Sequence, residues 1–225
     1  MKRVFTLIIL FIGCLAASNT VKAQFLDTSK PDDFFRLGLR AGMNMSNVSA
    51  GGTQFDINHD SWGSGFEGGI VADIAFRDWF AIQPGFFYQS RSNSYTHVLG
   101  LGASQQINIG HTLYYTFYIP VMFSARFNVT DRIRWSLEAG PYLSLGLGHN
   151  DTGITVTPLT EERYDHGYFD NHKRNQWGLK AGTGIEFNDH YYIGLHYMAG
   201  FGNAWKLDGF NGHNKAWTFT LGYNF

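Results

Sequence analysis

Residues 215–225 read KAWTFTLGYNF, and this stretch decides the fold. Large apolar side chains occupy every second position, and the positions between them are small or polar. The apolar set is Trp217, Phe219, Leu221, Tyr223 and Phe225, and the polar set is Thr218, Thr220, Gly222 and Asn224. Because successive side chains of a β-strand point to opposite faces, this alternation predicts a strand with one apolar and one polar face.

The same alternation recurs along the chain and predicts eight antiparallel strands. Their expected bounds are Phe34–Asn44, Gly65–Phe76, Trp79–Ser92, His111–Asn128, Asp131–Gly148, Asn175–Phe187, His190–Asn203 and Lys215–Phe225. Most of them reach the roughly 9–11 residues that a tilted strand needs to cross a bilayer. The composition agrees, with 17% aromatic residues, 16% charged residues and 27 glycines against 5 prolines.

The connections between these strands alternate in length. Three are predicted tight turns at Arg77-Asp78, Val129-Thr130 and Asn188-Asp189. Four are predicted long loops over residues 45–64, 93–110, 149–174 and 204–214. Short turns at one end and long loops at the other are typical of bacterial outer-membrane barrels. An even number of strands places both termini at the short-turn, periplasmic end.

The first 23 residues differ from the rest. Lys2 and Arg3 precede an apolar run, and residues 21–23, VKA, offer a cleavage site, so we predict a secretory signal peptide. The run is shorter than the roughly 20 residues of a spanning helix, which disfavours an uncleaved anchor. Cys14 also permits a lipoprotein reading, but the preceding FIG fits its cleavage box poorly. The expected organisation is a signal peptide (1–23), a periplasmic segment (24–33) and a barrel domain (34–225).

Removal of the signal leaves 14 basic and 18 acidic residues, a net charge of −4, and no cysteine. This balance disfavours a nucleic-acid partner, and the lack of cysteine excludes a disulfide framework. The sequence after the signal has no apolar run long enough for a membrane-spanning helix. A closed, eight-stranded, up-and-down transmembrane β-barrel therefore remains the all-β fold that we predict.

Alternation alone also fits a water-soluble, lipocalin-like barrel, whose apolar face points inward. The polar face here argues otherwise, because it is rich in glycine and carries charges of both signs, which suits a narrow lumen. The predicted polar network of the lumen is Arg36, Arg40, Glu67, Asp73, Arg126, Arg134, Glu138, Lys180 and Glu186.

Aromatic residues mark both ends of the apolar face. One per strand is expected at the periplasmic membrane interface, namely Phe35, Phe76, Phe80, Phe127, Trp135, Phe187, Tyr191 and Phe225. The opposite ends carry Phe66, Tyr88, Tyr115, Trp177, Tyr197 and Trp217. Two such girdles are expected where rings lie among lipid headgroups. The terminal Phe225 also resembles the C-terminal signal that outer-membrane assembly machinery reads.

Five segments together resemble the PorT-type outer-membrane β-barrel family. They are LGLRAGMNMSNV (37–48), FAIQPGFFYQSR (80–91), YIPVMFSARF (118–127), LEAGPYLSLGLG (137–148) and GLKAGTGIEF (178–187). The resemblance covers residues 34–225 and rests on the order and spacing of these segments. It implies an eight-stranded barrel of Gram-negative bacteria and supplies no catalytic residues.

Three functions fit such a barrel. The first is a structural or interaction barrel with a plugged polar lumen, whose loops bind an unknown protein or surface ligand. Aromatic loop residues offered as contact anchors are Phe55, Trp62, Tyr95, Tyr164, Tyr168, Phe169 and Phe210. The alternative is a narrow pore or small-solute binder. The third is a lipid-modifying enzyme at the outer rim, near Ser90, Ser92, Ser144, His111 and His149.

Neither an enzyme nor a metal site emerges from the spacing of these residues. No Ser-His-acid set converges, so we predict no catalytic residues. Histidines cluster in or beside the expected loops, at His59, His97, His111, His149, His166, His172 and His213. Their spacing matches no recognised ligand pattern, so we predict neither a metal nor a cofactor.

Overall fold

The computed structural model describes residues 26–31, 33–51, 57–99, 106–167, 173–203 and 211–225. Within them the chain forms nine β-strands. These are β1 (Phe35–Gly51), β2 (Ile57–Arg77), β3 (Phe80–Leu99), β4 (Gln106–Thr130), β5 (Ile133–Val156), β6 (Glu161–Gly167), β7 (Asn175–Phe187), β8 (Tyr191–Gly200) and β9 (Asn211–Asn224). The described part of the chain contains no helix that is long and apolar enough to span a membrane. The predicted signal peptide lies outside the described residues.

Eight of the strands form a closed antiparallel ring. β1 to β5 pair with one another in chain order, β5 also pairs with β7, and β7 pairs with β8. β9 pairs with both β8 and β1, which closes the ring. The eight-stranded barrel is therefore confirmed. The ninth strand, β6, was not predicted, and it pairs with the outer end of β5 from Asn150 to Val156. It lies outside the ring because, below this point, β5 pairs with β7 instead of β6.

The strands at the outer end run further than the sequence predicted. β4 has 25 residues and β5 has 24, and together with β3 they cover much of the expected loops over 93–110 and 149–174. β1 and β2 likewise extend into the expected loop over 45–64. The prediction of long loops was wrong there because these hairpin ends keep their backbone pairing although polar residues occupy many positions on both faces. Apolar alternation, the signal used to define a strand, fades where neither face meets lipid or core.

The tight turns lie one or two residues from their predicted places in two of three cases. They consist of Asp78-Trp79, Asp131-Arg132 and residues 188–190. Asn188 and Asp189 have φ angles of 49° and 59°, a left-handed conformation that Asn and Asp tolerate better than most residues. The third turn was therefore predicted correctly, since its residue types carry the signal.

The barrel is apolar outside and polar inside. Met43 and Leu143 are 68% and 66% exposed on the outer face, whereas Glu67 and Tyr118 are 2% and 0% exposed in the lumen. β7 alternates between exposed and buried residues over most of its length. A water-soluble barrel has the opposite arrangement, with its apolar side chains enclosed. The faces therefore define a barrel that lipid surrounds.

Candidate functional site in the barrel lumen

The lumen is the place where ionisable side chains converge. All nine residues predicted for the polar network point into it. Seven of them are buried, namely Arg40, Glu67, Asp73, Arg126, Glu138, Lys180 and Glu186, while Arg36 and Arg134 are partly buried. Because side chains alternate between two faces along each strand, these residues all share the inward face. The register between strands decides which of them meet.

Ion pairs fill the periplasmic half of the lumen. Asp73 receives hydrogen bonds from Arg36 at 2.9 Å and from Arg126 at 2.5 Å. Arg36 also donates to Glu186 at 3.1 Å, and Arg134 lies 3.5 Å from the same carboxylate. Arg36 is opposite Asp73, and Arg134 is opposite Glu186, in the register of neighbouring strands. Two acidic groups thus each serve two guanidinium groups and tie β1, β2, β4, β5 and β7 together.

A second cluster surrounds Glu138. Its carboxylate accepts hydrogen bonds from Ser136 at 2.6 Å and from Tyr192 at 2.8 Å, and His196 Nε2 lies 2.8 Å away. Glu138 is opposite Gly182, which in turn is opposite His196. The glycine between them leaves the space in which the imidazole reaches across to the carboxylate. Tyr192 was missing from the predicted network, although it follows the alternation of β8.

Among the described residues, Arg40 has no carboxylate within ion-pair distance, which differs from the expectation of paired charges. Its guanidinium donates to Asn224 Oδ1 at 2.7 Å and lies 4.2 Å from the centre of the Tyr192 ring. Glycines at positions 38 and 222 make room for it, since a Cβ atom at Gly222 would lie 2.4 Å from Arg40 Cδ. Stacking on Tyr192, the Asn224 amide and the backbone carbonyls of Leu39 and Tyr223 therefore hold this cation.

An aromatic and apolar layer lies in the middle of the lumen. Phe87 stacks on Tyr118 with 4.9 Å between ring centres, and Tyr142 meets Tyr118 edge-on at 6.4 Å. Val71, Met198 and Ala216 complete this cluster. Lys180 Nζ lies 5.3 Å from the Tyr118 ring centre and 4.0 Å from Glu67.

Phe87 and Met198 were missed because apolar residues are expected on the lipid face. The signal lay in the FF pair at residues 86–87, since alternation forces one ring of such a pair inward. Gly85 leaves room for the inward ring of Phe87, because a Cβ atom at Gly85 would lie 2.7 Å from Phe87 Cε2. A lumen filled in this way contains a packed layer as well as charges.

The outer half of the lumen differs in composition. Arg91 is 4% exposed there, surrounded by Ser46, Ser92, Asn93, Thr112, Tyr114, His149, Gln176 and Asn214. Arg91 donates to Gln89 Oε1 at 2.5 Å and to Met198 Sδ at 3.4 Å, and makes no ion pair among the described residues. It ends the segment FAIQPGFFYQSR and was absent from the predicted network, although it follows the inward positions 87 and 89.

Above this region, Tyr95 links three strands. Its hydroxyl donates to Asp151 at 2.8 Å and lies 2.6 Å from the hydroxyl of Tyr164 on β6. Burial raises the pKa of Tyr95, and the contacts with Tyr164 and Asp151 raise it further. The two tyrosines, both expected as contact anchors, are thus engaged with each other. Trp62 is 44% exposed, whereas Phe55, Tyr168, Phe169 and Phe210 lie outside the described residues.

The residues considered for catalysis do not assemble into a triad. Ser144 points inward and is buried, as expected. His111 Nδ1 lies 3.2 Å from the hydroxyl of Ser94, and no carboxylate is among the described partners of that histidine. His149 meets Tyr114 edge-on at 6.0 Å. Within the described ranges, no group of three His, Cys, Asp or Glu side chains is placed to hold a metal ion, and His172 lies outside those ranges.

The aromatic residues expected at the periplasmic interface all lie on the outer face. Phe35, Phe76, Phe187, Tyr191 and Phe225 are exposed, and Phe80, Phe127 and Trp135 are half-buried. Rings on adjacent strands touch, with 5.3 Å between the centres of Phe127 and Trp135 and 6.4 Å between those of Phe76 and Phe80.

The closed ring, the apolar exterior and the charged lumen define the class of protein as a transmembrane β-barrel. Residues 22–206 match the model of the outer membrane protein beta-barrel domain, and the chain belongs to this family. It is therefore a protein of the bacterial outer membrane. No curated protein sequence matches the chain.

Several solved outer-membrane proteins are similar to this chain at low identity. Ail of Yersinia pestis, in complex with the heparin analogue sucrose octasulfate, is 15% identical, with 86% of this chain and 100% of that one covered and a TM-score of 0.40. Neisserial surface protein A is 13% identical, with 84% and 97% covered and a TM-score of 0.43. OprG of Pseudomonas aeruginosa is 13% identical, with 91% and 99% covered and a TM-score of 0.42. Likeness at this level carries no conclusion about the activity of the chain.

Proposed function

We propose that this protein is an interaction barrel, which is anchored in the outer membrane, has a plugged lumen and presents a rigid sheet to a partner outside the cell. The observation that carries the proposal is the contrast between a lumen that contains buried ion pairs and stacked rings and strands that continue well beyond the expected outer aromatic girdle. The partner is a protein or surface ligand that the outer sheet recognises. The bilayer and the assembly machinery are its other expected partners, the latter through the C-terminal strand.

Side chains that reach across the lumen support a structural interior. Arg126 on β4 meets Asp73 on β2 across the intervening strand, and the Phe87–Tyr118–Tyr142 layer lies above that contact. An eight-stranded barrel has an interior just wide enough for side chains to fill. Solute passage would require several of these buried contacts to separate together, which disfavours a pore.

The outer ends of the strands support the interaction role. From Tyr115, in the expected outer girdle, to the start of β4 at Gln106 the strand covers about 30 Å at ~3.3 Å per residue. Over this length β4 pairs with β3 on one side and β5 on the other, and β6 widens the sheet. A paired sheet keeps its shape at lower entropic cost on binding than a flexible loop does.

Charge on β6 explains how such a sheet avoids self-association. Its sequence, EERYDHG, carries five ionisable residues besides Tyr164 in seven positions. Charged edge strands resist pairing with other chains. We therefore place the recognition surface on the faces of the outer sheet, where Trp62 and Ile109 are each 44% exposed.

Site-specific photocrosslinking on intact cells tests the proposal. A photoreactive residue replaces Ile109 on the outer sheet or, as the matched control, Leu143, which is 66% exposed on the membrane-facing wall. We expect one discrete crosslinked partner from position 109 and none from position 143. Identical products from both positions, or no product from several positions of the outer sheet, would contradict an interaction role.

Two finer assignments belong to the same proposal. The order and spacing of the five quoted segments favour the PorT-type branch of the barrel family. The eight aromatic residues of the periplasmic end are proposed to lie at the lipid headgroups, where rings of this kind are enriched. Removal of Phe225 is then expected to lower the amount of folded barrel in the outer membrane, measured by heat-modifiable migration on gels.

A further inference from the structure

We propose that the outer half of the lumen binds a small monovalent anion of the halide class, held by the guanidinium group of Arg91. This site is independent of the partner-binding role proposed above. It is defined here as the Arg91 pocket, lined by Ser46, Val48, Arg91, Ser92, Asn93, Thr112, Tyr114, His149, Gln176 and Asn214.

The first argument is the unbalanced charge of Arg91. Guanidinium groups stay protonated at any physiological pH and offer five N–H donors. The side chain of Arg91 is buried, yet its described acceptors are an amide oxygen of Gln89 and the thioether of Met198. Glu67, the carboxylate nearest in register, is engaged by Gln89, Tyr118, Thr220 and Lys180. A buried cation without an acidic partner is costly, and a bound anion removes that cost.

The second argument is the chemistry of the pocket wall. None of its ten lining residues is acidic, and eight of the nine besides Arg91 carry a hydroxyl, amide or imidazole group. Six of them, Ser46, Ser92, Thr112, Tyr114, Gln176 and Asn214, already donate hydrogen bonds to other protein groups. The wall therefore favours an anion mainly because it adds no negative charge that would repel it. The nearest carboxylate further out, Asp151, accepts hydrogen bonds from Tyr95 and Thr112 and is thereby already satisfied.

The third argument is a set of buried hydroxyls without hydrogen-bond partners beside the pocket. Thr116 Oγ1 and Ser144 Oγ are both unpartnered. Thr116 is opposite Gln89, the residue that accepts from Arg91, and Ser144 is opposite Gln176 in the pocket wall. Native interiors rarely leave such groups unsatisfied, and both hydroxyls can donate to a water molecule or an ion next to the pocket wall.

The size of the space selects the class of ligand. The cavity has a volume of about 20 Å³, slightly more than the ~10–15 Å³ that one water-sized sphere requires. A monatomic halide is the class of anion closest to this space in size, whereas sulfate, phosphate and carboxylate groups are larger. Water is the competing occupant, and it would leave the charge of Arg91 unbalanced.

Crystals of the intact protein grown in bromide provide the direct test, because bromide gives an anomalous signal. We expect an anomalous peak within hydrogen-bonding distance of the Arg91 guanidinium in the wild type and its loss in R91Q. Absence of a peak beside Arg91 at molar bromide, or a peak that remains unchanged in R91Q, would overturn the proposal.

A solution measurement keeps the proposal testable if a variant does not crystallise. Unfolding of the detergent-solubilised barrel is followed at constant ionic strength while gluconate is replaced by bromide. A halide at ten times its dissociation constant is expected to raise the folding equilibrium constant about elevenfold. R91K, which keeps a cation, retains part of this increase and R91Q abolishes it, while R77Q at the exposed periplasmic turn behaves as the wild type. An equal increase in R91Q and the wild type would refute the site.

Discussion

The two halves of the lumen differ in how the charge of their buried arginine side chains is balanced. In the periplasmic half, Arg36, Arg126 and Arg134 share Asp73 and Glu186 in a connected set of ion pairs. In the outer half, Arg91 is buried among neutral polar groups and an aromatic layer separates it from that network. The difference indicates that the periplasmic half is a self-sufficient structural core, whereas the outer half is completed by something that the chain does not supply.

The largest expected effect comes from breaking the periplasmic network at its centre. D73N removes the only described carboxylate partner of Arg126 and one of the two of Arg36. Removal of one member of a buried pair leaves an uncompensated charge, so we expect a loss of about 3–5 kcal/mol in the free energy of unfolding. Urea unfolding of the barrel in lipid vesicles measures this loss.

A second substitution shows whether that loss arises from the charge. Adding R126Q to D73N removes the orphaned cation and is expected to restore part of the stability. If the double variant is as unstable as the sum of the single variants, the residues do not act as a pair.

An intermediate effect is expected where glycine makes room for Arg40. A Cβ atom at position 222 would overlap Arg40 Cδ, and a Cβ atom at position 38 would lie 2.7 Å from Arg40 Nη1. G222A therefore forces the side chain to move and should lower the free energy of unfolding by about 1–3 kcal/mol. The matched control is G202A, since the nearest heavy atom to a Cβ there is 3.7 Å away. Equal effects of the two changes would mean that the lumen is looser than described.

The smallest effect is expected in the outer half. R91Q removes a buried charge and leaves no carboxylate without its partner, because Glu67 keeps Lys180, Tyr118 and Thr220. In halide-free buffer we expect a change of about 1 kcal/mol or less in the free energy of unfolding, comparable to one hydrogen bond. A loss as large as that of D73N would remove the distinction between the two halves.

Sequence reasoning was most successful where one face of a strand meets lipid and the other meets the lumen. The alternation of Trp217 to Phe225 fixed the inward and outward positions, and the turn at Asn188-Asp189 carried its own residue-type signal. All nine ionisable residues predicted for the lumen do lie there, because facing depends on local periodicity alone.

Features that depend on register or on water at both faces were not predictable in this way. That Asp73 bridges β1 and β4 follows from strand pairing and side-chain reach, which no local pattern encodes. The strand β6 and the outer ends of β3 to β5 were taken for loops because polar residues occupy many positions on both of their faces. Phe87 and Met198 were missed because an apolar residue in a membrane barrel is expected outside. Arg91 was missed because four of the five residues that precede it are apolar, aromatic or small.

The central claim is that packed side chains close this barrel. Single-channel recording across planar bilayers that contain the purified, folded wild-type protein tests it most directly. The account predicts no conductance steps above those of protein-free bilayers, because we propose that the Phe87–Tyr118–Tyr142 layer and the Asp73 network together plug the lumen. Stable, reproducible conductance steps that depend on the folded wild-type barrel would contradict it.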